Sequence, residues 1–203
     1  MLVAHPDDEA LWAGGFILGH PGWHWFVGTL CRASDPDRAP RFRRALERYG
    51  ADGAMADLDD GPEQKPLRDQ DIGAALLGIL PRRHFDLVLT HGPLGEYTRH
   101  RRHEEVSRVV SALWRGGELV ARELWLFAYE DGGGAYLPRP RQDADYVEML
   151  PRAILEAKRE LVTGVYGFAP DSWEGRVVPE AEAFYCLRNG QALPERLLQK
   201  GCP

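Results

Sequence analysis

Lysine is nearly missing from this chain of 203 residues: only Lys65, Lys158 and Lys200 occur. Arginine supplies the rest of the positive charge, and the formal net charge is still -6. A general affinity for nucleic acid is therefore not expected. Arg41, Arg43 and Arg44 fall beside Glu47 in an expected helix, the pattern of a solvated helix face. Cysteine is equally scarce. Cys31, Cys186 and Cys202 are odd in number, far apart and without a CxxC spacing. They support neither a zinc ribbon nor a disulfide framework, and fit reduced thiols in the cytoplasm. No run of 18 or more apolar residues occurs and no basic-then-apolar segment opens the chain, so neither a membrane-spanning nor a secreted protein is expected. The first apolar run begins at Met1 with no lead-in, as a shortened or misassigned start would leave it. No GxGxxG follows that run, and there is no P-loop, internal repeat or low-complexity segment, which sets aside a nucleotide-binding domain and a repeat architecture.

What is present is ordinary for a globular protein: 44% apolar and 28% charged residues, in a length suited to one domain over residues 1–203. Apolar runs predict strands at residues 1–4, 25–31, 54–58, 85–90 and 124–129. Helical spacing predicts helices at 8–19, 41–49 (stopped by Gly50), 72–80 (closed by Pro81), 100–114 and 151–165. Residues 136–145, rich in Pro, Arg and Asp, read as irregular. Strands alternating with helices indicate an α/β, Rossmann-like layered domain with a mainly parallel central sheet and helices on both faces. Such sheets bind ligands at the carboxyl ends of their strands, and here those ends carry His5 to Asp8, Arg32 and His91.

Two clusters carry chemistry. His5-Pro6-Asp7-Asp8-Glu9 spans the first strand-to-helix turn, and a three-residue step around such a turn brings His5 and Asp8 to one side. His100 and His103 stand three apart at a helix start, on one face. Two histidines and a carboxylate hold a divalent ion while leaving positions for water and substrate. Such an ion lowers the pKa of its water toward about 7, a further acidic group takes the proton, and a spare imidazole can donate to a developing oxyanion. Alone, the first cluster also reads as a turn with Asp7 or Asp8 capping the helix. The pair of clusters is more specific, although its ligand types suit zinc and non-haem iron alike.

The run Ala4 to Glu9 resembles the A-H-P-D-D-E hallmark of the LmbE-like or PIG-L-like N-deacetylases, and His100-Arg101-Arg102-His103 resembles their H-x-x-H. Gly95-Glu96-Tyr97, Lys158 with Tyr166, and Glu182-Ala183-Phe184 resemble further elements of that family, so the similarity spans most of the chain. The resemblance implies a zinc-dependent N-deacetylase, with Fe2+ or another divalent ion as alternatives, acting on a small acylated amine such as an amino-sugar conjugate. It implies His5, Asp8 and His103 as metal ligands, Asp7 as general base, and His100 as oxyanion stabiliser or general acid. Glu9 takes a supporting role. The rival readings are an amidase for a larger thiol-sugar or antibiotic conjugate and a binding module without catalysis. The chain departs from many relatives in having Arg101-Arg102 between the histidines where they have Pro-Asp, which is expected to change the charge near the mouth. Arg32, His91 and Tyr97 are candidates for substrate contact, as are Tyr129, Glu130 and Asp131 at the end of the fifth strand. Trp12 and Trp23 read as packing, and His20, His24 and His84 have no partner at useful spacing. Neither a membrane nor a nucleic acid is an expected partner, and the sequence leaves the oligomeric state open.

Overall fold

The computed structural model describes residues 1–81, 84–97, 99–188, 191, 194 and 197; Thr98, Lys200 and Cys202 lie outside them. Among the described residues, seven strands form one sheet in the order β3-β2-β1-β4-β5-β9-β8. They are β1 (Leu2–Val3), β2 (Phe26–Cys31), β3 (Asp52–Leu58), β4 (His84–Thr90), β5 (Val120–Phe127), β8 (Tyr146–Met149) and β9 (Ala181–Arg188). The first five run parallel. β9 is antiparallel to β5, and β8 to β9. A two-stranded ribbon of β6 (Tyr129–Glu130) and β7 (Arg139–Pro140) lies apart.

Strand residues alternate between two cores, as a period of two requires. Val3, Val27 and Leu89 face α1 (Asp8–Gly19), α2 (Arg38–Tyr49) and the turn at Leu161–Val165. Leu2, Val88 and Leu124 face α3 (Asp69–Ile79) and α4 (Arg101–Gly116) on the other side. The chain builds outward from β1 through β2 to β3, then returns to place β4 on the other flank of β1. Strand order therefore reverses between β1 and β4, the position where open parallel sheets form their ligand crevice. The expected fold class is observed.

The largest departure from the expected elements is at the carboxyl end. β9 is buried along nearly its whole length, so it shows no polar-apolar alternation to betray it. The helix expected at 151–165 is α5 (Arg152–Glu160) followed by one π-helical turn at Leu161–Val165, in which Tyr166 N donates to Leu161 O at 2.9 Å. Thr163 Oγ1 donates to Arg159 O at 2.9 Å, a back-bond that competes with regular helical pairing. The strand expected at 124–129 ends at Phe127, and Tyr129 starts the ribbon instead.

α1 is kinked at Ala13 (φ -149°, ψ 17°), just before Gly14-Gly15. A kink frees backbone groups that must find partners elsewhere. Tyr129 Oη donates to Trp12 O at 2.8 Å, while the Glu182 carboxylate accepts from Gly15 N at 2.8 Å and Phe16 N at 2.5 Å. Lys158 Nζ donates to the same carboxylate at 2.6 Å, and both side chains are fully buried. Burial pushes the Lys158 ammonium down and the Glu182 carboxyl up, each against the pull of the other. A Cβ on Gly15 would meet the end of the Leu150 side chain at 2.5 Å, so Leu150 would have to move to admit one.

Candidate active site

The turn after β1 puts Asp7 at φ 117°, outside the usual range for a side chain with a Cβ. Such a conformation costs of order 1–3 kcal/mol and persists only where the surroundings enforce it. Three contacts do so. Asp8 Oδ2 accepts from His5 N at 2.8 Å, Glu9 Oε2 accepts from Asp7 N at 3.0 Å, and Arg38 Nη1 holds Asp7 Oδ2 at 2.7 Å. Asp7 makes no side-chain cap to α1, so the reading of this run as a capped turn does not describe it. Glu9 is buried and accepts from Tyr166 Oη at 2.5 Å, which links the turn to the π-helical turn.

Imidazoles and carboxylates alternate through the centre. His5 places Nδ1 3.1 Å from Asp8 Oδ2 and Nε2 3.1 Å from Asp60 Oδ1. His103 places Nε2 3.2 Å from Asp8 Oδ1 and Nδ1 2.7 Å from Glu96 Oε2. His91 Nε2 accepts from Ala4 N at 2.9 Å, while its Nδ1 lies 3.1 Å from Glu96 Oε2. The His100 ring stands 4.5 Å from His103 and 4.8 Å from His5 between centroids. Ligand atoms of His5, His100 and His103 lie within 4.8 Å of one another, as do those of Asp8, His91 and His103, and those of His5, Cys31 and Asp60. The expected set of His5, Asp8 and His103 takes two members from each of the first two groups.

Burial opposes charge on every one of these groups, and the neighbours decide the outcome. On His5 the carboxylates outweigh burial and raise it to about 9; Glu96 and Asp8 pull His91 upward against burial as well, while Ala4 N, donating to its Nε2, keeps that nitrogen unprotonated. On Glu96 the two imidazoles outweigh burial and lower the carboxyl to about 2; Asp8 is also held well below the usual range by His103, His91 and His5. Asp7 goes the other way, because burial and the Asp8 charge exceed the pull of Arg38. His100 is pushed down to about 4 by burial and by His103 and His5, which leaves it neutral at pH 7. A divalent cation suits this set: it would take the place of the protons that the carboxylates draw onto the histidines. Each expected histidine ligand would keep a carboxylate on its other nitrogen, Asp60 for His5 and Glu96 for His103, as metal-binding histidines usually do.

The centre opens into a cavity of about 220 Å³ lined by His5, Asp7, Asp8, Arg38, His100 and Trp173, among others. Arg32 and Tyr97 line it too, but Arg32 is held by Asp60 and Asp35. His91 does not line it: the side chain is wholly buried beneath Asp8, against Glu96 and Phe127. Tyr129, Glu130 and Asp131 do not line it either. Trp12 is core, stacked on Tyr97 at 5.9 Å. Arg102, expected near the mouth, is fully buried: it donates to Asp59 O at 2.8 Å and Lys65 O at 2.9 Å and pairs with Glu105 at 2.6 Å. Sequence reasoning missed Asp60, Arg38, Trp173 and Glu174. Asp60 follows β3, so the carboxyl-end rule that found His5 and His91 had the power to find it. The other three have no motif spacing.

No protein-family model matches the chain. A curated viral relative, the uncharacterised protein L374 of Acanthamoeba polyphaga mimivirus, is 23% identical over 124 residues, so the match spans about half of each chain (54% of this one and 55% of the other). Among solved structures, a deacetylase triple mutant of the teicoplanin biosynthetic pathway superposes with a TM-score of 0.64 at 13% identity, covering 94% of this chain and 99% of that one. GalB, the 4-carboxy-2-hydroxymuconate hydratase of Pseudomonas putida KT2440, gives 0.60 at 15% identity over 95% and 98%. The A40926 pseudoaglycone deacetylase Dbv21 gives 0.58 at 16% over 92% and 96%. At these identities the likeness establishes the fold. Among the described residues no helix is long and apolar enough to cross a membrane.

Proposed function

We propose that the chain is a divalent-metal-dependent hydrolase that removes an acyl group, acetyl in the simplest case, from the amine of a small molecule. One observation carries the reading: a His5–Asp8–His103 chain, buried at Asp8 and His103, opens through His5 into a cavity beside Asp7, which Arg38 holds in place. His5, Asp8 and His103 would hold the ion, Zn2+ first among the candidates. When bound, it supplies Lewis acidity and makes water a nucleophile near neutral pH.

The chain's own groups supply the rest. Asp7, which adjoins Asp8 at the cavity and is not committed to an imidazole, takes the proton from the attacking water. Arg38 keeps it from swinging toward Asp8. His100, neutral and on the cavity wall, donates a hydrogen bond to the acyl oxygen as charge develops there. The cavity admits the acylamino end and leaves the bulk of a substrate outside, which fits an amino-sugar conjugate or a larger antibiotic conjugate. The fold also serves a hydratase, so reaction class rests on the site alone.

The test is metal analysis of the purified protein and of Asp8→Ala, with hydrolysis followed on a panel of N-acyl amines that includes N-acetylglucosamine. We expect about one equivalent of ion and acyl release in the parent, and loss of both in the variant. A metal-replete parent that cleaves nothing on the panel would instead support a binding module.

A further inference from the structure

Beside His5, away from Asp8, lies a second group of ligand atoms that shares His5 with the proposed metal centre and adds a thiol that the proposed reaction does not use. His5, Cys31 and Asp60 each present one atom, and the three lie within 4.8 Å of one another. His5 divides its nitrogens between the two sides, Nδ1 toward Asp8 and Nε2 toward Asp60, both at 3.1 Å. Cys31 and Asp60 meet at an irregular step in the pairing of β2 with β3: from Thr29 to Cys31 β2 advances two residues while β3 advances three, from Met55 to Leu58, so the extra residue lies in β3, shortly before Asp60. Cys31 itself is buried in the core on the α3–α4 side. Bulges of this kind re-aim a side chain, often beside a functional site. Next to them Gln64 Nε2 donates to Asp60 Oδ1 at 2.9 Å, while its Oε1 is buried with no hydrogen-bond partner among the described residues.

We propose that Cys31, Asp60 and His5 Nε2 form a second cation site for thiophilic divalent ions such as Zn2+, Co2+ or Cd2+. The inference rests on the proposed function in one respect, that His5 also serves the first site. Thiolate, imidazole and carboxylate together suit zinc-like ions over Mg2+ or Ca2+. In a formed tetrahedral site, ligand atoms stand about 3.5 Å apart, so the group has to close by roughly 1 Å. Binding replaces the Cys31 Sγ proton and the His5 Nε2 proton, and both leave to solvent. The ion competes with Arg32, whose guanidinium already sits on Asp60 Oδ2 at 2.7 and 2.9 Å. The second site therefore fills after the first. Filling it takes His5 away from Asp60, the carboxylate that orients it, so excess ion inhibits.

Titrating the metal-free protein with Co2+ tests this directly, because a thiolate–cobalt bond gives near-ultraviolet charge-transfer absorption that nitrogen and oxygen ligands do not. We expect that band to grow only after about one equivalent has bound, to persist in Cys186→Ser, and to be missing in Cys31→Ser. Asp60→Asn, which keeps the thiol, should weaken the second equivalent about tenfold or more. Binding that ends at one equivalent with no such band overturns this inference and leaves the proposed function standing. A band that rises with the first equivalent overturns the order of filling and with it the inhibitory role. No binding at all removes both proposals. Where the second ion binds, excess Zn2+ should slow acyl release in the parent about tenfold, and far less in Cys31→Ser.

Discussion

Two buried sets of opposite charge grip α1, one at its start and one past its kink, and they differ in what they leave open. At the start, Asp8 and Glu96 are each shared between imidazoles, and His5, Asp8 and His100 reach the cavity wall. Past the kink, Lys158 and Glu182 pair at 2.6 Å, meet only protein partners and line no part of that cavity. Every acceptor of Glu182 is committed, to one ammonium and two helix amides. Under the proposed function the first set would trade protons for a cation with its surroundings intact; the second holds the broken turn of α1 and has no such exchange open to it. Burial of charge is thus no mark of a functional site by itself. Access to solvent, and more than one way to arrange the protons, distinguish the first set.

The sharpest way to test that contrast is to remove one carboxylate from each set. Asp7→Asn should lower kcat for acyl release by about 100- to 10,000-fold, the usual loss for a general base, with metal content and urea midpoint close to the parent. A variant that kept full activity on every accepted substrate would remove Asp7 from the reaction. Glu182→Ala should do the reverse. It strands the Lys158 ammonium and two amides, and should cost about 3–5 kcal/mol of unfolding free energy with little change in kcat for the folded fraction. The double variant Lys158→Met with Glu182→Gln should recover part of that loss, because it removes the stranded charge and keeps an acceptor for one of the two amides. A loss under about 1 kcal/mol in Glu182→Ala would show that the kink does not depend on it. The smallest effect is expected at Glu96, which belongs to the first set but does not line the cavity. Glu96→Gln should weaken metal binding about 10- to 100-fold, read by chelator competition, and equal affinities in parent and variant would separate Glu96 from the ligands it touches.

Much of the first set was legible in the sequence because its members are local. His5 to Glu9 lie on one turn, His100 and His103 on one helix start, and alternating strands and helices told where those turns would meet. Arg38 and Asp60 stand outside any motif, and they join the site through the sheet order that brings β2 and β3 beside β1. The second set was visible only as fragments. Lys158 and Glu182 stood out by resemblance, yet nothing in their 24-residue separation tells that one caps a break in a helix 167 residues earlier in the chain. β9 hid for the same reason: a strand buried on both faces has no period of two to read.

Arg102 changes how the site's edge should be viewed. One guanidinium fastens the carbonyls of Asp59 and Lys65 to the helix that carries His103, and Glu105 from the same helix accepts from Leu67 N at 3.1 Å. The loop holding Asp60 therefore takes its path from inside the protein and not from its own outward side chains. Glu63 and Lys65, more than 70% exposed on its outer surface, are under little structural constraint. Sequence drift should accumulate there without disturbing the spacing between His103 and the carboxylate that steadies His5.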